Sequence, residues 1–263
     1  MNSWCGSWLG QHMASILGIQ IVFLSLIPNL QLHNKIYKQN ISAIIELNKM
    51  KEDIIMKFKN VTIKELFWLV LSVITMGFCL SFLNKTSFGT DPCTTFNLGI
   101  SKLLGLSLGN WQAIFNCILF IFVFLFGRDQ IGWGTLANMF LVGYSFDFFS
   151  WINGMVLPVD FFHPMLNRIL ITIPILGLFI IAVAIYIAIQ QGISPYDAIP
   201  NMIDKKLTNI PFKLVRMGWD ISVTILGVLL GEKIGLITIV MAFTLGPAIS
   251  FAEKHIVAKL IRT

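Results

Sequence analysis

Polar side chains recur inside the apolar runs of this chain at spacings that place them on shared helical faces. Gln112 and Asn116 stand i, i+4, as do Asp220 and Thr224, while Tyr144 and Asp147 stand i, i+3. Asn110 and Asn138 occupy similar settings. A polar group in lipid costs a few kcal/mol unless it meets a partner or water, so these faces are expected to look into a helix bundle. The chemistry they offer is hydrogen bonding to a small polar solute. Asp220 adds a second possibility, because it follows Arg216 by one turn and can alternate between that ion pair and a protonated state. It is therefore the first candidate for proton coupling and Asp147 the second. The ordinary readings are an Arg216–Asp220 pair that anchors a helix end and an Asp147–Arg168 pair across an outer loop.

A second set of candidates surrounds two related turns, Gly89-Thr90-Asp91-Pro92 and Gly192-Ile193-Ser194-Pro195. Glycine gives the turn its conformational freedom, Asp91 or Ser194 caps a helix, and proline suits the first helical position. Each turn thus predicts a short helix, over residues 92–102 and 195–205. Such a helix either dips into the protein or lies on the surface and joins two spans. If it dips inward, its amino end faces the interior and can hold an anionic or polar group through Asp91, Thr94 and Asn97 in one helix and Ser194, Tyr196 and Asp197 in the other.

Enzymatic chemistry is not expected. There is no His/Cys cluster, no Ser/His/Asp arrangement and no nucleotide-binding loop, so neither catalytic residues nor a cofactor is assigned. Cys5, Cys79, Cys93 and Cys117 form no CxxC pair, and His163 and His255 have no spaced partner for a metal. The net charge of +6 is explained by basic loops at a membrane rather than by nucleic-acid binding. Trp111, Trp133, Trp151 and Trp219 suit an interfacial aromatic belt. The four-residue spacing of Gly227, Gly231 and Gly235 is a weak dimerisation signal.

The elements that must position these groups are membrane helices. With 56% hydrophobic and 12% charged residues, the chain is too apolar for a soluble globule of its length. About 20 mostly apolar residues cross the hydrocarbon core. That rule predicts six spans, near Leu66–Leu83, Trp111–Gly127, Gly132–Ile152, Ile169–Ile189, Leu214–Leu230 and Ile234–Phe251. The pattern is stated twice at an offset of 103 residues, which lays Gly89 over Gly192, Ile131-Gly132 over Ile234-Gly235, Thr135 over Thr238 and Gly143 over Gly246. The expected fold is all-α and polytopic, with a three-span repeat over residues 56–160 and its inverted copy over residues 161–263. An odd number of spans per copy forces opposite orientations.

The basic residues orient the chain. With the amino end of the first span inside, the inner segments hold Lys57, Lys59, Lys64, Arg128, Lys205, Lys206, Lys213, Arg216, Lys254, Lys259 and Arg262. The outer loops hold Lys85, Lys102, Arg168 and Lys233. This asymmetry predicts both termini in the cytoplasm.

Residues 1–55 have no counterpart in the repeat. Lys51-Glu52-Asp53 can be encoded as AAG-GAG-GAT, a ribosome-binding sequence just ahead of Met56. The expectation is that translation starts at Met56 and that residues 1–55 are a non-native extension, the alternative being a genuine amphipathic one.

The turns at Gly89 and Gly192, the Leu108-Gly109-Asn110-Trp111-Gln112 segment, the Gly132–Asn138 stretch ahead of Gly143-Tyr144 and Asp147, and the Tyr196-Asp197 pair together resemble the YczE/YyaS/YitT group of bacterial membrane proteins. The likeness runs from Met56 to Arg262 and is nearer the YczE branch. It implies a multi-pass protein of the bacterial cytoplasmic membrane and supplies no catalytic site. The expected function is transport of a small polar or anionic solute by alternating access. The alternatives are a non-catalytic accessory protein for a biosynthetic or export complex, and the substrate-capturing subunit of an uptake system. The expected partners are the lipid bilayer, the solute, and either a second copy or a membrane-complex partner.

Overall fold

The computed structural model describes residue 41 and residues 61–158, 160–207, 210–252 and 254–255. The expected start at Met56 and the boundary at residue 55 lie outside these residues. The described residues form eight α-helices and one 3-10 turn, with no strand.

Capping side chains explain where half of these helices begin. Helix α1 (Ile63–Thr86) opens on a capping box, in which Glu65 N donates to Thr62 Oγ1 and Thr62 N donates to Glu65 Oε2. Helix α2 (Pro92–Leu104) is capped by Asp91, begins with proline and stops at the left-handed Gly105. Ser107 caps α3 (Leu108–Phe126), and the 3-10 turn Arg128–Gln130 leads to α4 (Trp133–Val156). Helix α5 (Met165–Ala188) follows Pro164. Ser194 caps α6 (Pro195–Asp204), and α7 (Phe212–Leu229) and α8 (Leu236–Ala252) complete the order.

Helices stand where the six spans and both short helices are predicted. Several begin earlier than apolarity suggests: α3 starts at Leu108 rather than Trp111, because the helix runs back to its Ser107 cap regardless of polarity, and α5 starts at Met165, directly after Pro164, rather than at Ile169. Helices α1, α3 and α5 are long and apolar enough to cross a membrane. Phe122, Leu125 and Phe126 of α3 and Leu170 and Ile173 of α5 are exposed, which suits contact with acyl chains.

Helix α1 is the centre of the packing, lying along α4 and α5. Leu69, Val73, Met76 and Leu80 of α1 join Val142 and Phe146 of α4 and Phe179 and Val183 of α5 in the core. Gly77 permits the α1–α4 approach, since a β-carbon there would sit 2.5 Å from Ser145 Cβ. Helix α2 packs on α7, and α6 packs on α3.

The two glycine turns dock across the halves in the same way. Gly134 N donates to Gln191 O at 2.6 Å, and Ile237 N donates to Phe88 O at 2.9 Å, each residue 103 positions from its counterpart. Gly227 and Gly235 are likewise used inside the fold, against Phe96 of α2 and against Phe88 and Gly89. Of the three glycines in the spacing read as a weak dimerisation signal, these two are in close packing within the chain, while Gly231 has open space around it.

Candidate functional site

Both short helices begin at one cavity. Asp91, Cys93 and Thr94 at the start of α2 and Ser194, Tyr196 and Asp197 at the start of α6 line a space of about 320 Å³. Gln112 and Asn116 of α3, Asn138 of α4 and Arg216 of α7 add polar groups. Apart from Asn201, the remaining wall is largely apolar and includes Leu80, Phe179, Val183 and Leu245. The volume sits near the lower end for small-molecule pockets, about 300–1,000 Å³.

The capping geometry sets the polar side. Thr94 N donates to Asp91 Oδ2 at 3.2 Å, while Asp91 Oδ1 has no hydrogen-bond partner among the described residues. Asp91 is only 9% exposed. Burial pushes its carboxyl above the ordinary aspartate range; hydrogen bonding from Thr94 opposes this, and Asp220 and Asp197 reinforce it by repulsion. On α6, Asp197 N donates to Ser194 Oγ at 3.0 Å, and Ser194 Oγ donates to Asp197 Oδ2 at 2.7 Å.

Arg216 ties α6 to α7. Its Nη1 lies 2.6 Å from Asp197 Oδ1 and its Nε 3.0 Å from Asp220 Oδ2. Tyr196 OH donates to Asp220 Oδ1 at 2.7 Å, and the Arg216 guanidinium stands 5.5 Å from the Tyr196 ring centroid. Guanidinium suits this place because its fixed fork can serve two carboxylates at once.

Of the sequence candidates, Asp91, Thr94, Gln112, Asn116, Asn138, Ser194, Tyr196 and Asp197 line the cavity. Asn97, Asn110 and Thr224 do not. Asn97 Nδ2 donates to Cys93 O at 2.9 Å, behind the cavity wall. Asn110 Oδ1 accepts from Tyr144 OH at 3.2 Å on an exposed face, and Thr224 Oγ1 donates to Asp220 O at 2.8 Å. Asp220 stands behind Tyr196 and Arg216 rather than on the wall.

The ordinary reading of Asp147 needs correction. Its Oδ2 accepts from Gly109 N at 2.8 Å, at the start of α3. Arg168 instead donates to Thr86 O at 2.6 Å and lies over the Phe88 ring. The amino end of α3 offers Asp147 an orphan amide and a positive dipole. Sequence reasoning also missed Cys93 and Asn201 in the lining. Asn201 was detectable, since it follows Asp197 by i+4 on the same helix; the apolar lining residues carry no signal that separates them from other core positions.

The profile of a family of unknown function (DUF6198) matches residues 63–254. The chain is 25% identical over 207 residues to the uncharacterized membrane protein YczE of Bacillus subtilis, covering 77% of this chain and 88% of that protein. It is 28% identical over 192 residues to an uncharacterized protein of Haemophilus influenzae, covering 72% and 82%. No solved structure matches the chain.

Proposed function

This chain belongs to the DUF6198 family of membrane proteins, and from that premise we propose that it transports a small polar solute by alternating access. The observation that carries the reading is the convergence of the α2 and α6 amino ends on one cavity that also holds Gln112, Asn116 and Asn138. Discontinuous helices whose amino ends meet at a polar cavity are a recurrent design for solute sites in carriers.

The chain is further proposed to cross a bacterial cytoplasmic membrane six times as two inverted three-helix repeats, with both termini inside. Helices α1, α3 and α4 form the first repeat around α2; α5, α7 and α8 form the second around α6. The paired hydrogen bonds Gly134 to Gln191 and Ile237 to Phe88 support this symmetry. So does the packing, because the α2–α7 contact has its counterpart in α6–α3, and α1–α4 in α5–α8. Rocking one repeat against the other would open the cavity to each side in turn.

Coupling is assigned to Asp220, whose carboxylate is shared between Arg216 and Tyr196. Protonation would break the Arg216–Asp220 pair within α7 and weaken the Tyr196–Asp220 bond between α6 and α7, leaving Arg216–Asp197 as the remaining charged link between these helices.

A thermal-shift screen of the purified chain against metabolites, followed by uptake into proteoliposomes, tests the proposal. A ligand that raises the melting temperature and is then taken up saturably supports it. Binding without uptake, together with a stable partner recovered in pull-downs, would replace it with a substrate-capturing or accessory role.

A further inference from the structure

We propose that the cavity receives the protonated amine of a small amphipathic solute, docked on Asp91 Oδ1 with its apolar part against Leu80, Phe179, Val183 and Leu245. This rests on the solute-site reading above and names the chemistry of the solute.

The polar side of the cavity has an unmet acceptor. Asp91 lines the cavity, is 9% exposed, and its Oδ1 has no hydrogen-bond partner among the described residues. A buried acceptor of this kind is costly when left unmade, so a donor that fills it binds with a strong preference. Arg216 is already engaged on both sides by Asp197 and Asp220. The one arginine of the lining is thereby committed to those two carboxylates, and no salt bridge to Asp91 is formed among the described residues, so an added cation can pair with Asp91.

The same geometry disfavours an anion. In the first turn of each short helix proline lacks an amide proton, and the capping side chain takes another donor, Thr94 N in α2 and Asp197 N in α6. An anion approaching α2 would also meet the Asp91 carboxyl. The apolar part of the lining, with Leu80, Phe179, Val183 and Leu245, rewards apolar contact and offers nothing to a second charge. An ammonium group on a short apolar body satisfies both parts of the lining.

Benzylammonium, benzyl alcohol and benzoate share one apolar body and differ in charge, so titrating each into the purified full chain at neutral pH tests the assignment by calorimetry. Saturable binding of benzylammonium, at least tenfold tighter than either congener, is expected. Asp91→Asn keeps a good capping residue and is expected to weaken benzylammonium by about tenfold or more, with little effect on benzyl alcohol. Preference for benzoate or benzyl alcohol overturns the amine assignment while leaving a solute site in place. Equal benzylammonium binding to wild type and Asp91→Asn also overturns it. No saturable binding by any of the three overturns the cavity as a solute site, and this inference with it. The wild-type series alone decides the charge preference if the variant fails to fold.

Discussion

Gly192, held at a φ of 91°, packs so tightly on Gly132 that a β-carbon on it would lie 2.5 Å from the Gly132 nitrogen. The contact seats the turn before α6 against the start of α4. Gly89, at a φ of 98°, has the related contact, with a β-carbon falling 3.0 Å from Gly235 and 2.2 Å from Thr238 Oγ1. The entrances of both short helices are therefore built on pairs of glycines from different halves of the chain.

Gly192→Ala and Gly89→Ala should each destabilise the protein by about 2–4 kcal/mol, combining a left-handed backbone with a steric clash. Gly105→Ala separates the two causes, because Gly105 has a φ of 67° but open space around it. Its cost should be about 1 kcal/mol, from conformation alone. Thermal melts in detergent measure all three, and equal losses would show that packing at the two turns contributes nothing.

Arg216→Ala should cost about 2–3 kcal/mol, less than the ~3–5 of a fully buried pair, because Arg216 and Asp197 keep some contact with solvent. Their side chains are 21% and 32% exposed. Arg216→Lys should recover under half of the loss, since a single ammonium cannot reproduce the forked contact. Melting temperatures of the two variants provide the check; full recovery by lysine would mean that only the charge matters.

Asp91→Asn should raise stability increasingly as pH rises. Burial holds the Asp91 carboxyl above its unfolded value of about 3.9. Below that value both states are protonated and no penalty exists. As pH climbs through the folded value, the native state must bear a buried charge, so wild-type stability falls. The charged or titratable groups around it are Cys93, Asp197, Asp220 and Arg216. Melts at pH 4 and pH 8 should show the two proteins converging in acid and the variant more stable in base; a wild type more stable at pH 8 would refute the assignment.

Single cysteines at Lys85 and Lys213, placed in a background without the native cysteines, should label from opposite sides of the membrane. A membrane-impermeant maleimide applied to intact cells should reach Lys85→Cys and leave Lys213→Cys unlabelled until lysis. Labelling of both before lysis would break the proposed orientation.

Much of the architecture was legible because it rests on local chemistry. Asp91-Pro92 and Ser194-Pro195 announce helix starts within four residues of chain. The site was legible in part. Gln112 and Asn116 share a helical face, so their presence in one cavity with Asn138 follows from burial of that face. Asp147 was misassigned because a sequence shows opposite charges more readily than it shows an orphan backbone amide such as Gly109 N.

By itself the sequence determined the helices, their caps, the short Pro-initiated segments and the membrane setting, since periodicity, capping and apolarity act over a few turns of chain. Only the tertiary structure decided that the amino ends of α2 and α6 meet at one cavity, that Arg216 serves both Asp197 and Asp220, and that Asp91 Oδ1 is left without a partner. Those outcomes depend on how helices far apart in sequence cross and on which close approaches their glycines allow, and no local pattern encodes the resulting distances.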